Sequence, residues 1–176
     1  MTIKIAVLAS VLIIAPASAF AGDWTGPYAG VQIGTAEIDV DGALEVDGDG
    51  PSFGIFAGYN FQSGPVIFGG EVDYDVTEYD IGDGAAEVDS TTRVKARVGT
   101  ELGGGLAYGT VGAVWATSPD FIGDGEGYLF GLGYDLPVAD NVIVGGEILQ
   151  HQFDDYNDTG ADVGVTTLKA RVAYSF

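Results

Sequence analysis

His151 is the only histidine in the chain and the clearest candidate for a general base. Asp154 and Asp155 follow closely and could orient its imidazole, as in the Ser-His-acid arrangement of acyl-transfer enzymes. The sequence pattern places no serine with these three residues. A position at the outer rim of a β structure is therefore favoured for His151. An esterase or acyl-transfer site is disfavoured, and no enzymatic activity is predicted.

Carboxylates in glycine-rich stretches are the second group with possible chemistry, because Ca²⁺ and Mg²⁺ prefer oxygen ligands. Asp47-Gly48-Asp49-Gly50 and Gly123-Asp124-Gly125 have this composition, but their spacing matches no complete EF-hand loop. They belong to long acidic segments at 41–50, 80–90, 117–126 and 154–162. Solvated loops are the favoured interpretation, with loose divalent-cation bridges to an anionic lipid such as lipopolysaccharide as the alternative. No dedicated metal site and no cofactor is predicted.

Charged residues of one sign occupy alternate positions in several stretches of the chain, and a stretch with acidic residues precedes each stretch with basic residues. The basic residues beyond Lys4 are Arg93, Lys95, Arg97, Lys169 and Arg171. The stretches before them carry Glu71, Asp73, Asp75 and Glu147. A period of two is that of a β-strand, so each set lies on one strand face. Opposite charges on neighbouring antiparallel strands attract each other and help to fix the register.

A hairpin centred near Gly84 would place these charges directly opposite each other. The predicted pairs are Glu71 with Arg97, Asp73 with Lys95 and Asp75 with Arg93, while Lys169 and Arg171 face Glu147. Inside a barrel such pairs would satisfy charges that are costly to bury alone. On a solvated surface each would contribute little. We predict an internal ion-pair network.

Eight segments alternate as β-strands do. They are 24–40, 53–61, 66–77, 91–100, 106–116, 128–136, 142–153 and 165–176. In the first, the apolar phase reverses near Thr35 and Ala36, which a bulge or an exit from a membrane would explain. The fifth has two nearly equivalent faces, so its orientation is left open. In the last, an apolar face that ends in Tyr174 and Phe176 opposes the face with Lys169 and Arg171.

The connections between these segments alternate between short and long. Outer-membrane barrels have short turns on one side and longer loops on the other, and about 9–11 tilted residues per strand span the bilayer. Aromatic residues collect at both ends of the segments, as in interfacial girdles. Those at the short-connection end are Trp24, Tyr28, Tyr59, Phe61, Phe68, Tyr108, Tyr134, Tyr174 and Phe176; those at the other end are Tyr74, Tyr79, Trp115, Tyr128 and Phe130. The predicted fold is all-β, an eight-stranded antiparallel up-and-down transmembrane β-barrel.

Alternation alone does not say which face points inward, so a soluble lipocalin-like barrel is the alternative. The membrane barrel is favoured by glycine-rich polar faces that suit a narrow interior, by an N-terminal export signal, and by the terminal aromatic residue on the apolar face. A mean hydropathy of +0.24 with a net charge of −20 fits strands in which apolar and polar residues alternate finely. This acidity also excludes a nucleic-acid partner, because phosphate binding needs a basic surface. The chain has no cysteine, so it is predicted to be stable without disulfides.

Residues 1–21 have the features of a cleaved secretory signal peptide. Lys4 supplies a positive charge, an apolar run follows, and Ala19-Phe20-Ala21 offers a small-x-small cleavage site. The apolar run is shorter than the roughly 20 residues of a spanning helix. Residues 22–176 are then predicted to form one barrel domain, exported by the Sec route.

Three stretches resemble the small outer-membrane β-barrel family of alphaproteobacteria, which is related to opacity-type and OmpA-type barrels. Trp24-Thr25-Gly26-Pro27-Tyr28-Ala29-Gly30-Val31 resembles that family's opening strand. Phe68-Gly69-Gly70-Glu71-Val72-Asp73-Tyr74 and Ala96-Arg97-Val98-Gly99-Thr100 resemble its third and fourth strands. The chain end, with Tyr174 and Phe176, resembles the family's signal for the barrel-assembly machinery.

The resemblance implies an integral protein of the Gram-negative outer membrane, porin-like or antigen-like at the cell surface. We therefore expect a structural, surface-exposed role, with acidic extracellular loops and a charged interior filled by side chains. An eight-stranded barrel is just wide enough for its own side chains. A narrow cation-preferring channel is the alternative, suggested by the acidic loops.

Overall fold

The computed structural model describes residues 23–40, 51–81, 85–117, 125–153 and 163–176. The predicted signal peptide, the acidic segments 41–50 and 154–162, and most of the segment 117–126 fall outside these ranges and stay predictions. The described residues form eight strands: β1 Gly26–Val40, β2 Pro51–Ser63, β3 Val66–Ile81, β4 Ala85–Leu102, β5 Gly105–Thr117, β6 Gly125–Ala139, β7 Val142–Phe153 and β8 Val163–Ser175. Within these residues no helix is both long and apolar enough to cross a membrane.

The eight strands close into one antiparallel barrel. Each strand pairs with the next along the chain, and β8 pairs with β1 from Tyr28 opposite Ser175 to Val40 opposite Val163. Closure leaves no sheet edge with unpaired backbone groups, which lipid would not tolerate. The predicted fold class is confirmed.

Large apolar side chains point outward and are exposed, whereas charged side chains point inward and are buried. Leu132 and Ile55, for example, are 67% and 62% exposed, whereas Glu71 and Lys95 are 2% and 3% exposed. This is the inside-out arrangement of a membrane barrel and the reverse of a lipocalin-like one. It also orients β5, whose sequence left this open, because Leu106, Tyr108, Thr110 and Val114 are buried.

Two local expectations were wrong. The predicted long loop at 80–90 is largely strand, since β3 continues to Ile81 and β4 begins at Ala85. The backbone ladder extends past the apolar segment because polar residues do not interrupt antiparallel pairing. Of the two explanations offered for the phase reversal near Thr35, the bulge is wrong, because the pairing of β1 with β2 and β8 is continuous there, and exit from the membrane remains. A register shift occurs instead in β6 after Pro137, which has no N–H to donate to a ladder.

Short two-residue turns join β2 to β3, β4 to β5 and β6 to β7, at 64–65, 103–104 and 140–141. Gly64 and Gly103 have positive φ angles of 60° and 62°, a conformation that glycine adopts without steric cost. These turns, together with residues 23–25 and Phe176, lie on one side of the barrel, which we call the turn-side mouth.

Candidate functional site: the charged interior of the barrel

All nine residues predicted to form ion pairs lie inside the barrel and are buried. They are Glu71, Asp73, Asp75, Arg93, Lys95, Arg97, Glu147, Lys169 and Arg171. Alternation on β3, β4, β7 and β8 turns them inward, because the opposite face of each strand carries apolar residues. Asp135 of β6 joins them and balances the charge of the set, with five acidic and five basic side chains.

The register of β3 and β4 differs from the predicted one. Lys95 lies opposite Glu71 and Arg93 lies opposite Asp73, so the hairpin is centred nearer Asp83 than Gly84. A shift of two residues leaves every side chain on its face, since the side-chain period is two. The diagonal pairs expected from the sequence also lie within ion-pair distance: Arg97 to Glu71, Lys95 to Asp73, and Arg93 to Asp75.

Lys95 is the centre of the network. Its Nζ atom lies 2.7 Å from Glu71 Oε1, 2.9 Å from Asp73 Oδ2 and 2.8 Å from Glu147 Oε2. The three carboxylates are close enough together to ligate a metal ion. The ammonium lies within bonding distance of all three, so this cluster is an ion-pair centre with its own cation.

The loop-side end of the network is built around Arg93 and Lys169. Arg93 Nη1 lies 2.9 Å from Asp73 Oδ1 and also pairs with Asp75. Lys169 Nζ lies 2.7 Å from Asp75 Oδ2, and Gln32 Nε2 donates to Asp75 Oδ1 at 2.7 Å. β3, β4, β8 and β1 therefore meet at one carboxylate.

The turn-side end is built around Arg97 and Arg171. Arg97 Nη2 lies 2.8 Å from Asp135 Oδ2 and Nη1 lies 3.2 Å from Glu71 Oε2. Arg171 pairs with Glu71 and lies 3.4 Å from Glu147 Oε2. Glu147 is opposite Lys169 in the ladder, but its carboxylate contacts Lys95 and Arg171.

Aromatic rings support these two guanidinium groups. Arg97 lies over the rings of Tyr108 and Tyr28, with its Cζ at 4.1 Å and 5.1 Å from the ring centroids. Arg171 lies over Phe56 at 3.9 Å. The Tyr28 hydroxyl donates to Glu71 Oε2 at 2.9 Å, and Arg171 Nη1 donates to the Tyr108 hydroxyl at 3.1 Å. Cation–π contacts strengthen when they are shielded from water.

Two interior glycines make room for the tyrosines. A Cβ atom at Gly58 would overlap the Tyr28 hydroxyl, and one at Gly133 would overlap the Tyr108 ring. The frequent glycines of the polar faces therefore have a steric function at these positions, because a narrow lumen must hold large side chains.

The prediction that His151 is a rim residue was wrong. His151 is 1% exposed, and Arg93 Nε donates to its Nε2 at 2.9 Å. The Nδ1 atom lies 3.1 Å from the Val165 carbonyl oxygen, so Nδ1 carries the proton and donates. Asp154 and Asp155, the acids considered for a catalytic arrangement, lie outside the described residues.

Apolar side chains close the interior on both sides of the charges. On the turn side, Trp24 packs with Ile67, Leu106 and Tyr108. On the loop side the buried cluster is Val114, Leu129 and Leu149, with Ala116 and Val165 against it. The described interior is thus a charged layer between two apolar layers.

The sequence from residue 5 to residue 176 matches the family described as outer membrane protein beta-barrel domain. The chain belongs to this family. The 25 kDa outer-membrane immunogenic protein of Brucella canis is 28% identical over 90% of this chain and 76% of its own length. The 22 kDa outer membrane protein of Rhizobium leguminosarum bv. viciae is 29% identical over 81% of this chain and 69% of its own. The fold is similar to Neisserial surface protein A, with a TM-score of 0.63 and 18% identity over 86% of this chain and 98% of the other.

Family membership places this barrel in the outer membrane of a Gram-negative cell, so lipid covers its exposed apolar face. The relatives are outer-membrane proteins of alphaproteobacteria, which confirms the resemblance described above. The site is therefore the interior of a membrane-embedded barrel, where every charge needs a partner.

The aromatic girdles are partly as predicted. Exposed rings surround both ends of the outer wall: Tyr59, Phe61, Phe68, Tyr134, Tyr174 and Phe176 at the turn side, and Tyr74, Trp115, Tyr128 and Phe130 toward the loops. Trp24, Tyr28 and Tyr108, which were also expected in the turn-side girdle, are instead buried inside. Alternation along their strands places Tyr28 and Tyr108 on the inward face. Trp24 precedes β1, so its buried position does not follow from that alternation.

Hydrogen bonds hold the C-terminal end of β8 to the adjacent turn and to β1. Ser175 N donates to Asn141 O at 2.9 Å, Phe176 N donates to Pro27 O at 3.0 Å, and Asn141 Nδ2 donates to Ser175 O at 2.6 Å. The rings of Tyr174 and Phe176 make an edge-to-face contact at 5.0 Å. Both rings are exposed on the outer wall.

Proposed function

We propose that this family member is a structural, surface-exposed outer-membrane protein and that its barrel is closed to ions. The observation that carries this proposal is the packed interior: ten charged side chains neutralise one another between two layers of apolar side chains. An ion that entered would have to separate pairs such as Lys95 and Glu147 in a medium of low dielectric constant, which is costly.

A narrow cation-preferring channel is the second candidate, favoured by the excess of acidic residues in the loop segments. The interior gives it less support. Among the described interior side chains, acidic and basic groups are equal in number, so this part of the lumen provides no net negative field to select cations.

The acidic loop segments are the part of the chain proposed to meet the outside. The Brucella canis relative carries the word immunogenic in its name, which supports surface exposure of the corresponding region here. We assign to these segments the binding of divalent cations. These ions would in turn bind lipopolysaccharide, because carboxylates alone would repel an anionic surface.

Tyr174 and Phe176 are assigned the contact with the barrel-assembly machinery. Their exposed rings, at the end of the strand that closes the barrel, support this role. Catalysis is not part of the proposal: His151 is enclosed and hydrogen-bonded to Arg93, a position from which it cannot reach an external substrate.

Single-channel recording in planar bilayers tests the proposal. Purified protein, with insertion verified by its heat-modifiable mobility on gels, is expected to give no discrete current steps across a range of voltages. A general porin inserted under the same conditions is the positive control. Reproducible cation-selective steps that vanish when the protein is omitted would establish the channel and overturn the closed barrel.

A further inference from the structure

The segment before β1 is ordered by hydrogen bonds of its own. Trp24 N donates to Gln62 Oε1 at 2.9 Å, and Gln62 N donates to Thr25 Oγ1 at 3.1 Å. Thr25 N donates to Asp23 Oδ1 at 2.9 Å, and the side-chain and backbone hydrogen bonds of Thr25 lower the pKa of the Asp23 carboxyl. Residues 23–25 are thus fastened to the end of β2, although they belong to no strand.

This fastening turns the Trp24 ring into the barrel. Trp24 is 9% exposed and packs with Ile67 of β3, and with Leu106 and Tyr108 of β5. Ile143 of β7 packs against the same cluster. Because β3, β5 and β7 lie at well-separated positions around the barrel, a ring that joins this cluster lies across the lumen.

The layer that Trp24 completes excludes water. Leu106 and Ile67 are among the most buried side chains described, although both are close to the turn-side mouth. Directly above them, Tyr108 carries the Arg97 guanidinium on its ring and accepts a hydrogen bond from Arg171. Tyr108 is therefore the contact between the Trp24 layer and the ion-pair network.

We propose that Trp24 is a plug, carried on residues 23–25, that closes the turn-side mouth and keeps water away from the Arg97–Asp135 end of the network. The plug is separable from the barrel, because the backbone ladder of β1 begins only at Gly26. Removal of its ring opens the mouth as far as Tyr108 and leaves the strand pairing in place.

The two tryptophans of the chain allow a first test without disturbing the plug. Trp24 lies inside the mouth, whereas Trp115 is exposed on the lipid-facing wall. In a Trp115→Phe protein reconstituted in phosphatidylcholine vesicles, Trp24 fluorescence is expected to resist both acrylamide and brominated lipid. In a Trp24→Phe protein, brominated lipid is expected to quench Trp115 strongly. Efficient quenching of Trp24 by either agent would overturn the plug.

Substituted cysteines test the closure itself, since the chain has no cysteine of its own. A Leu106→Cys thiol is expected to react slowly with a charged maleimide in folded protein. Adding Trp24→Ala should accelerate the reaction roughly tenfold or more, because a protected site has become open to solvent. Ser63→Cys, at an exposed position on the same side, should react at the same fast rate with or without Trp24.

Two results would contradict the plug: a Leu106→Cys thiol that reacts as fast as Ser63→Cys while Trp24 is present, or no acceleration in Trp24→Ala. Heat-modifiable mobility verifies that each variant is folded. If Trp24→Ala does not fold, the fluorescence of the two single-tryptophan proteins decides alone. Conductance separates this inference from the proposed function. Current steps in the wild-type barrel would overturn the proposed closed barrel, whereas unchanged protection of the Leu106→Cys thiol in Trp24→Ala would overturn only the plug.

Discussion

Lys95 Nζ and Glu147 Oε2 are 2.8 Å apart, although their strands, β4 and β7, are not neighbours in the sheet. The pair therefore bridges the lumen, as do Arg97 with Asp135 and Arg171 with Glu71. Ladder hydrogen bonds join each strand only to the two beside it. The interior ion pairs add connections between strands that the ladder does not join.

Lys95→Met removes the cation from three carboxylates and leaves them facing one another. We expect the free energy of unfolding to fall by about 3–5 kcal/mol, the usual cost of removing one partner of a buried ion pair. Urea titration in phospholipid vesicles, followed by gel mobility, measures it. Asp140→Asn, in an exposed turn, is the control and should change stability little. The same small change in Lys95→Met would mean that water already screens the cluster.

Exchange of Asp73 and Lys95 is expected to be as damaging as either single substitution. A lysine at 73 would face Arg93 and Lys169, and an aspartate at 95 would face Glu71 and Glu147, so both would meet like charges. Urea titration of Asp73→Lys, Lys95→Asp and the double variant measures the coupling between the positions. Recovery of wild-type stability in the double variant would show that the two residues form an isolated pair.

The sequence predicted the strands, the polar face of the strands other than β5, and nine of the ten members of the network, because each of these depends on a period of two. It could not predict the β3–β4 register, since a slip of two residues keeps every side chain on its face. The sequence also could not predict which residues pair across the lumen, because no spacing along the chain links Glu147 to Lys95. Asp135 was recognisable only as a polar residue alternating with Gly131 and Gly133.

His151 shows a different limit. The sequence predicted a rim position because His151 lies near the outer end of the seventh segment, 142–153, yet in β7, which has these bounds, position 151 is on the inward face and buried. Trp24 was assigned to the girdle because the sequence shows its place beside β1. The hydrogen bond to Gln62 that turns it inward cannot be seen in the sequence.

Gly133→Ala is expected to destabilise the barrel by about 1–3 kcal/mol, because the added methyl group overlaps the Tyr108 ring in a packed interior. Gly109→Ala is the matched control on the neighbouring strand. Its Cβ would have ordinary contacts, 3.9 Å from Gly131 O and 4.0 Å from Leu132 Cδ2. Midpoints of urea unfolding compare the two variants. Equal midpoints would show that Tyr108 moves aside without cost.

His151→Leu removes the acceptor that the Arg93 Nε–H uses. We expect a loss of about 1–3 kcal/mol, the cost of leaving a buried donor unsatisfied, with part of it restored in His151→Gln, whose carbonyl oxygen can accept. Nitrogen-15 NMR of the wild-type imidazole provides an independent check, and should show the proton on Nδ1. A proton on Nε2 would rule out the hydrogen bond from Arg93.

The depth of the outer wall in the membrane can be measured with arginine on β6. Leu132 is exposed near the middle of this strand and Val138 is exposed near its turn-side end. Leu132→Arg should cost about 2–4 kcal/mol and Val138→Arg about 0–1 kcal/mol, because the penalty for a lipid-facing charge falls from the bilayer midplane to the interface. Unfolding titrations in phospholipid vesicles give both values. If the two costs are equal, or if Val138→Arg is the larger, the bilayer midplane does not lie at Leu132, and the barrel spans the membrane at a different height from that marked by its two aromatic girdles.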